Sequence, residues 1–226
     1  MFFSPLGCIF ILLFFLFLFF LFLFVQINAI ALVFAKIGIP NEYIFSTLFA
    51  VLMGSFINIP VKRIPSGEVF SGQRRISYFG FHYVVPLRVK RESIIAVNVG
   101  GAIIPTLICI YLLFKTSLWW PAFIATAIMT LVLHRLARPI PGLGIAIPAF
   151  LPPLLAAFIA LIVSYENAPV VAYISGTLGT LIGADLMNLK KIPELGAPVA
   201  SIGGAGTFDG IFLNGFLAVL LAVILA

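Results

Sequence analysis

Two aspartates, Asp185 and Asp209, are the only aspartates in the chain, and both stand inside or at the edge of strongly apolar segments, 24 positions apart. The other acids, Glu42, Glu68, Glu92, Glu166 and Glu194, fall in stretches that read as loops. A carboxylate in or near hydrocarbon is expensive unless it is paired or hydrated, so it marks a buried site by default. Two carboxyls held close together share a proton. One then activates a water while the other protonates a carbonyl oxygen or a leaving amine. That chemistry calls for no metal and no cofactor. Cys8 and Cys109 lie in apolar runs without ligand spacing and read as buried thiols. His82 and His134 have no second ligand at helical spacing, and no glycine-lysine loop of the nucleotide-cradling type occurs.

The elements that must position this pair are set by composition. The 226 residues are 63% hydrophobic and only 9% charged, with a mean hydropathy of +1.25, whereas a soluble domain carries about a quarter charged residues. These values exclude an ordinary soluble domain. They predict an all-α polytopic transmembrane bundle of about seven spans. The net charge of +6 reads as membrane topology rather than as nucleic-acid binding, because basic residues gather on the cytoplasmic face.

In chain order, residues 1–36 form a Phe-rich anchor span, and residues 37–226 form the polytopic domain. A second span is expected over 42–59. A basic loop follows over 61–92, with Lys62, Arg63, Arg74, Arg75, Arg88, Lys90 and Arg91. Within it, residues 75–85 are rich in β-branched and aromatic types and fit a short strand pair, while a solvated loop lying on headgroups is an equal reading. Further spans are expected over about 93–115, 122–133, 140–164, 169–189 and 207–226. The fifth holds Pro141, Pro148, Pro152 and Pro153 and is therefore expected to be kinked or broken. Trp119 and Trp120 suit a membrane interface.

A cytoplasmic 61–92 loop leaves only Lys36 and Lys115 of the thirteen basic residues outside. This orientation gives a multi-pass plasma-membrane protein with a cytoplasmic N-terminus and an external C-terminus. Asp185 then lies five residues before Lys190, about 7–8 Å above the cytoplasmic end of its helix. Asp209 opens the next span at the same face, so the two have similar depth and can meet. The glycine-rich connection between them, with Gly204 and Gly206, permits unusual backbone angles. Gly183, Thr207, Asn58, Asn98 and Asn188 fall in the same polar layer, as does Asn214.

Several motifs carry a resemblance. Asn-Ile-Pro at 58–60, Asn-Val-Gly-Gly-Ala-Ile-Ile-Pro at 98–105, Ala-Arg-Pro-Ile-Pro-Gly-Leu-Gly-Ile at 137–145 and the glycine-rich run 196–210 resemble a prokaryotic membrane-protein family called domain of unknown function 1614. Gly183-Ala184-Asp185 and Gly204-Ala205-Gly206-Thr207-Phe208-Asp209 are also similar to the aspartate motifs of membrane-embedded aspartyl proteases of the presenilin and prepilin-peptidase kinds. Those enzymes have Gly-x-Gly-Asp where Thr207 and Phe208 here separate glycine from aspartate. The second resemblance implies hydrolysis of a transmembrane peptide, with Asp185 and Asp209 catalytic. A proton- or cation-coupled transporter using the same aspartates is the alternative expectation, and a non-enzymatic scaffold a third. The expected partners are the lipid bilayer, a peptide substrate and a second copy of the chain, with no nucleic acid.

Overall fold

The structure is a computed structural model that describes residues 15–19, 28–65, 72–78, 81–87, 92–140, 144–148, 150–192, 199–204 and 210–226. Residues 15–19 and 28–36 are helical, and the latter stretch is α1. It is followed by α2 (Ile44–Ser55), α3 (Ile104–Thr116), α4 (Trp119–Leu136), α5 (Leu151–Val163), α6 (Ala168–Thr180) and α7 (Gly210–Leu225). A π-helical turn, Val99–Ile103, leads into α3, and a second, Leu181–Asp185, continues α6 into a 3-10 segment, Leu186–Lys191. With these extensions three helices are long and apolar enough to cross a membrane: Val99–Thr116, Trp119–Leu136 and Ala168–Lys191. Among the described residues α5 and α7 are apolar but shorter.

Among the described residues, three of the expected seven spans are matched by helices long and apolar enough to cross a membrane, and most of the first expected span lies outside those residues. Residues 42–59 show one reason for the difference. Their α-helix covers only Ile44–Ser55, about 18 Å of rise against a hydrocarbon core of about 30 Å. The chain then turns into a strand at Asn58.

The protein is mostly helical rather than all-α, with seven strands among the described residues. β1 (Asn58–Pro65) pairs antiparallel with β4 (Glu92–Asn98), and β7 (Val199–Ile202) adds to β4 in parallel, giving the order β1-β4-β7. Ile94, Ile95 and Val97, expected to open the third span, lie in β4 instead. Short apolar β-branched runs fit a buried strand as well as a helix. The strand pair within 75–85 is present and longer, as β2 (Gly72–Tyr78) against β3 (Phe81–Leu87). The broken fifth segment also holds. Arg138–Ile140 and Gly144–Ala146 form the small hairpin β5–β6, and α5 starts only at Leu151, with Pro152 and Pro153 in its first turn, where a missing N–H costs nothing.

α6 is the centre of the bundle and packs on α3, α4, α5 and α7. Its Ser175, Gly176, Thr177, Gly179 and Thr180 are buried, and small residues let neighbouring backbones come close. A Cβ built on Gly179 would stand 2.5 Å from Met129 Cβ. On one side Val33 and Phe34 of α1 and Ile37 in the turn after it share a core with Leu112, Ile174 and Val219. On the other, Met129 and Leu133 of α4 share one with Ala156, Ala160, Val171 and Ala222. At the end of the bundle away from the sheet, Lys115 donates to the carbonyl of Gly38 and to the Tyr111 hydroxyl.

Candidate functional site

Asp185 ends the π-helical turn of α6, and its side chain is half-buried. Its Oδ2 accepts a hydrogen bond of 2.7 Å from the backbone N–H of Gly203. Gly203 terminates β7 with φ at +80°, a conformation that L side chains rarely adopt. It also fits under another segment: a Cβ there would lie 2.7 Å from Ala102 N and 2.8 Å from Gly101 C. One glycine thus lets the glycine-rich connection touch both the end of α6 and the turn that opens α3.

That turn is held by Asn98. Its Oδ1 accepts from Gly101 N–H at 2.9 Å, while Nδ2 donates to Ser55 O at 2.8 Å and to Asn58 Oδ1 at 3.1 Å. Ser201 Oγ donates to the same Asn58 oxygen. Side chains from β1, β4 and β7 therefore meet at one end of the sheet. Gly100 makes the approach of α2 feasible, since a Cβ on it would lie 2.2 Å from Val51 O.

Beside this polar end lies an apolar cleft of about 280 Å³ lined by Val97, Ala102, Leu107, Leu181, Leu186 and Ile202, with Thr106 the one polar residue of its wall. Leu181 and Leu186 flank Asp185 in sequence, and Ile202 precedes its hydrogen-bond donor. The carboxylate therefore belongs to the surroundings of an apolar groove next to the edge strand β7. Such a groove can take an apolar chain, and an edge strand can pair with an extended backbone.

The expected site residues separate into groups. Asn58, Asn98 and Gly204 gather at the sheet end, where a Cβ on Gly204 would stand 2.4 Å from Ser201 Oγ. Gly183 serves packing, because a Cβ there would lie 2.5 Å from Thr130 O of α4. Asn188 is fully buried and turned towards α4: its Nδ2 donates to Ala184 O at 2.9 Å and to Gly183 O at 3.1 Å, and stands 3.3 Å from His134 Nδ1. It satisfies carbonyls that the change from π to 3-10 winding frees. Asp209, Gly206 and Thr207 lie outside the described residues. α7 begins at Gly210, the residue after Asp209, and its Ile211 joins Ala102, Leu181 and Ile202 in one small apolar cluster.

Ser201 and Ser55 escape a reading of the sequence, whereas Gly203 stands in the glycine-rich connection whose unusual backbone angles the sequence leads one to expect. Ser201 belongs to a four-residue strand, too short for periodicity to register. Ser55 acts through its backbone carbonyl, which no side-chain motif reveals. Among the described residues no three His, Cys, Asp or Glu side chains come together as a metal site.

A family model described as Protein of unknown function (DUF1614) matches residues 52–221. The chain belongs to this family. The DUF1614 match spans Asn58, Asn98, Asp185, Ser201 and Gly203, so the whole polar sheet end is part of the family's shared region. No curated protein and no solved structure matches the chain. The DUF1614 description assigns no activity, and the chemistry rests on the residues themselves.

Proposed function

We propose that this DUF1614 protein is a membrane-embedded hydrolase in which Asp185 and Asp209 act as a carboxyl pair on an apolar peptide. The observation that supports this reading is the packing of Leu181, one helical turn before Asp185, with Ile211, two residues after Asp209, in one cluster with Ala102 and Ile202. The hydrogen bond from Gly203 to Asp185 adds a second tie between α6 and the segment that leads to Asp209. In the reaction one carboxylate takes a proton from water as it attacks the peptide carbonyl. The protonated partner gives its proton to the carbonyl oxygen; when the tetrahedral intermediate collapses, the proton taken from water passes to the leaving amine and a hydroxyl of the intermediate returns a proton to the partner, restoring the pair. The apolar cleft receives the substrate side chains, and the edge of β7 pairs with its backbone. The site faces the cytoplasm in the orientation that the basic residues favour.

The test is a proteome-wide comparison of membrane-protein fragments between cells with the wild-type chain and cells with the Asp185→Ala, Asp209→Ala double variant. Fragments that vanish in the variant support hydrolysis, and identical fragment sets remove it.

A transporter is the second reading, and one observation favours it. Between α6 and α7, Asn214 donates to Gly176 O at 2.7 Å and to Thr180 Oγ1, yet Asn214 Oδ1 is buried without a hydrogen-bond partner among the described residues. A polar atom left over inside an apolar bundle is where water or a cation would sit on a path.

A further inference from the structure

The apolar cleft lies between two of the three helices long and apolar enough to cross a membrane, Val99–Thr116 and Ala168–Lys191. Ala102, Thr106 and Leu107 come from the first, and Leu181 and Leu186 from the second. Leu181 and Leu186 stand nine and four residues before Lys190. The cleft is therefore within about 15 Å of the charged end of that helix, the depth of one leaflet of a core about 30 Å thick.

The rim of the cleft continues into a surface stripe. Leu107 belongs to the wall and is yet 58% exposed. Ile110, Tyr111 and Phe114 follow it at helical spacing and are exposed as well. From Ile103 in the cleft to Phe114 the helix rises about 16 Å, close to the reach of the chains of one leaflet. Cleft and stripe together form one apolar track, open along the side of a spanning helix.

The walls select what fills this track. Thr106 is the one polar residue among them, so water finds too few partners, and apolar cavities of this kind stay dry. A peptide enters only with its backbone N–H and C=O groups paired elsewhere, as on the edge of β7. A hydrocarbon chain needs no partner, and it restores the dispersion contacts that an empty groove forfeits. We propose that the cleft is an acyl-chain site, in which one chain of a phospholipid from the leaflet nearest Lys190 lies along Leu107–Phe114 and fills the space beside Leu181 and Leu186. Asp185 is not part of the cleft wall, so this site stands or falls apart from the carboxyl chemistry.

The full chain is reconstituted in phosphatidylcholine bilayers that contain a small fraction of phosphatidylcholine with a trifluoromethyl-phenyl-diazirine in one acyl chain. After irradiation and digestion the adducts are mapped by mass spectrometry. Leu131 of α4 and Phe158 of α5, exposed and outside the cleft wall, report ordinary contact with surrounding lipid. Adducts within 102–107 and 181–186 are expected to exceed those around Leu131 and Phe158 several-fold. Thr106→Trp and, from the facing helix, Leu186→Trp each fill the cleft. Both are expected to lower the cleft adducts several-fold while those at Leu131 and Phe158 stay unchanged. Leu186 is partly exposed, so its variant carries the test if Thr106→Trp does not fold. Cleft labelling no stronger than at Leu131 and Phe158 means contact with surrounding lipid only and overturns the proposal. Labelling that ignores the tryptophans also overturns it, as does a cleft without adducts, because protein then fills the space.

Discussion

The carboxylate of Asp185 and the backbone N–H of Gly203 are joined by a 2.7 Å hydrogen bond across 18 positions of sequence. That bond ties the irregular end of the most buried helix to the glycine-rich segment that leads to the second aspartate.

Gly203 is the pivot of this arrangement, and replacing it tests the arrangement directly. Gly203→Ala forces a side chain into φ +80° and against Ala102 N at 2.7 Å. The strained backbone alone costs about 1–3 kcal/mol. Thermal unfolding of the purified protein in detergent is expected to show a loss of at least this size. A neutral Gly203→Ala would mean that β7 does not dock on the Gly101–Ala102 turn.

Asn98 supports the opposite wall. Asn98→Ala removes the acceptor of Gly101 N–H and the donor to Ser55 O and Asn58 Oδ1, an expected loss of about 1–3 kcal/mol. Asn98→Asp keeps the acceptor for Gly101 N–H but sets a buried carboxylate oxygen against Ser55 O and Asn58 Oδ1, so it is expected to be at least as destabilising as alanine. The ordering of the three midpoints in chemical denaturation is the measurement. An alanine variant as stable as wild type contradicts the capping role.

Two glycines of the same helical run should respond differently. A Cβ on Gly183 meets the backbone oxygen of Thr130 at 2.5 Å, which cannot move without shifting α4, whereas a Cβ on Gly176 meets Ala156 Cβ at 3.3 Å and Ala218 Cβ at 3.4 Å. Gly183→Ala is expected to cost about 1–3 kcal/mol through overpacking. Gly176→Ala is expected to be the milder of the two, and the reverse order would place the close α4 contact elsewhere.

What the sequence reveals and what it hides follow from the length of each signal. The helices Trp119–Leu136 and Ala168–Lys191 are sustained apolar runs and are legible by hydropathy alone. Pro152 and Pro153 announce that no straight helix joins residue 140 to residue 164. β4 is hidden because Ile94, Ile95 and Val97 adjoin a real helix and take on its hydropathy. β7 is hidden because four residues carry no period, and its place beside β4 is a long-range pairing that no local pattern encodes. Asn58 and Asn98 stand out as polar residues in apolar runs, which locates the site. Their mutual 3.1 Å bond and the capping of Gly101 are legible only in three dimensions. Asn188 stands out equally, yet it faces His134 and the carbonyls of its own helix.

The orientation of the bundle has its own test. With seven basic residues concentrated in 61–92, a cysteine introduced at Ser77 is expected to resist a membrane-impermeant thiol reagent in intact cells and to react after permeabilisation. Ready labelling in intact cells would invert the topology and place the sheet end outside.

The central claim is that Asp185 and Asp209 work as one unit, and the decisive measurement compares Asp185→Asn, Asp209→Asn and the double variant at matched membrane abundance. Asparagine at 185 can still accept the Gly203 N–H but cannot exchange a proton, so the fold is retained while the chemistry is lost. With peptide cleavage as the readout, each single variant is predicted to lose activity as fully as the double, because residues that act together are not additive. One single variant inactive and the other nearly normal, or full activity in all three, would contradict the paired-carboxyl account.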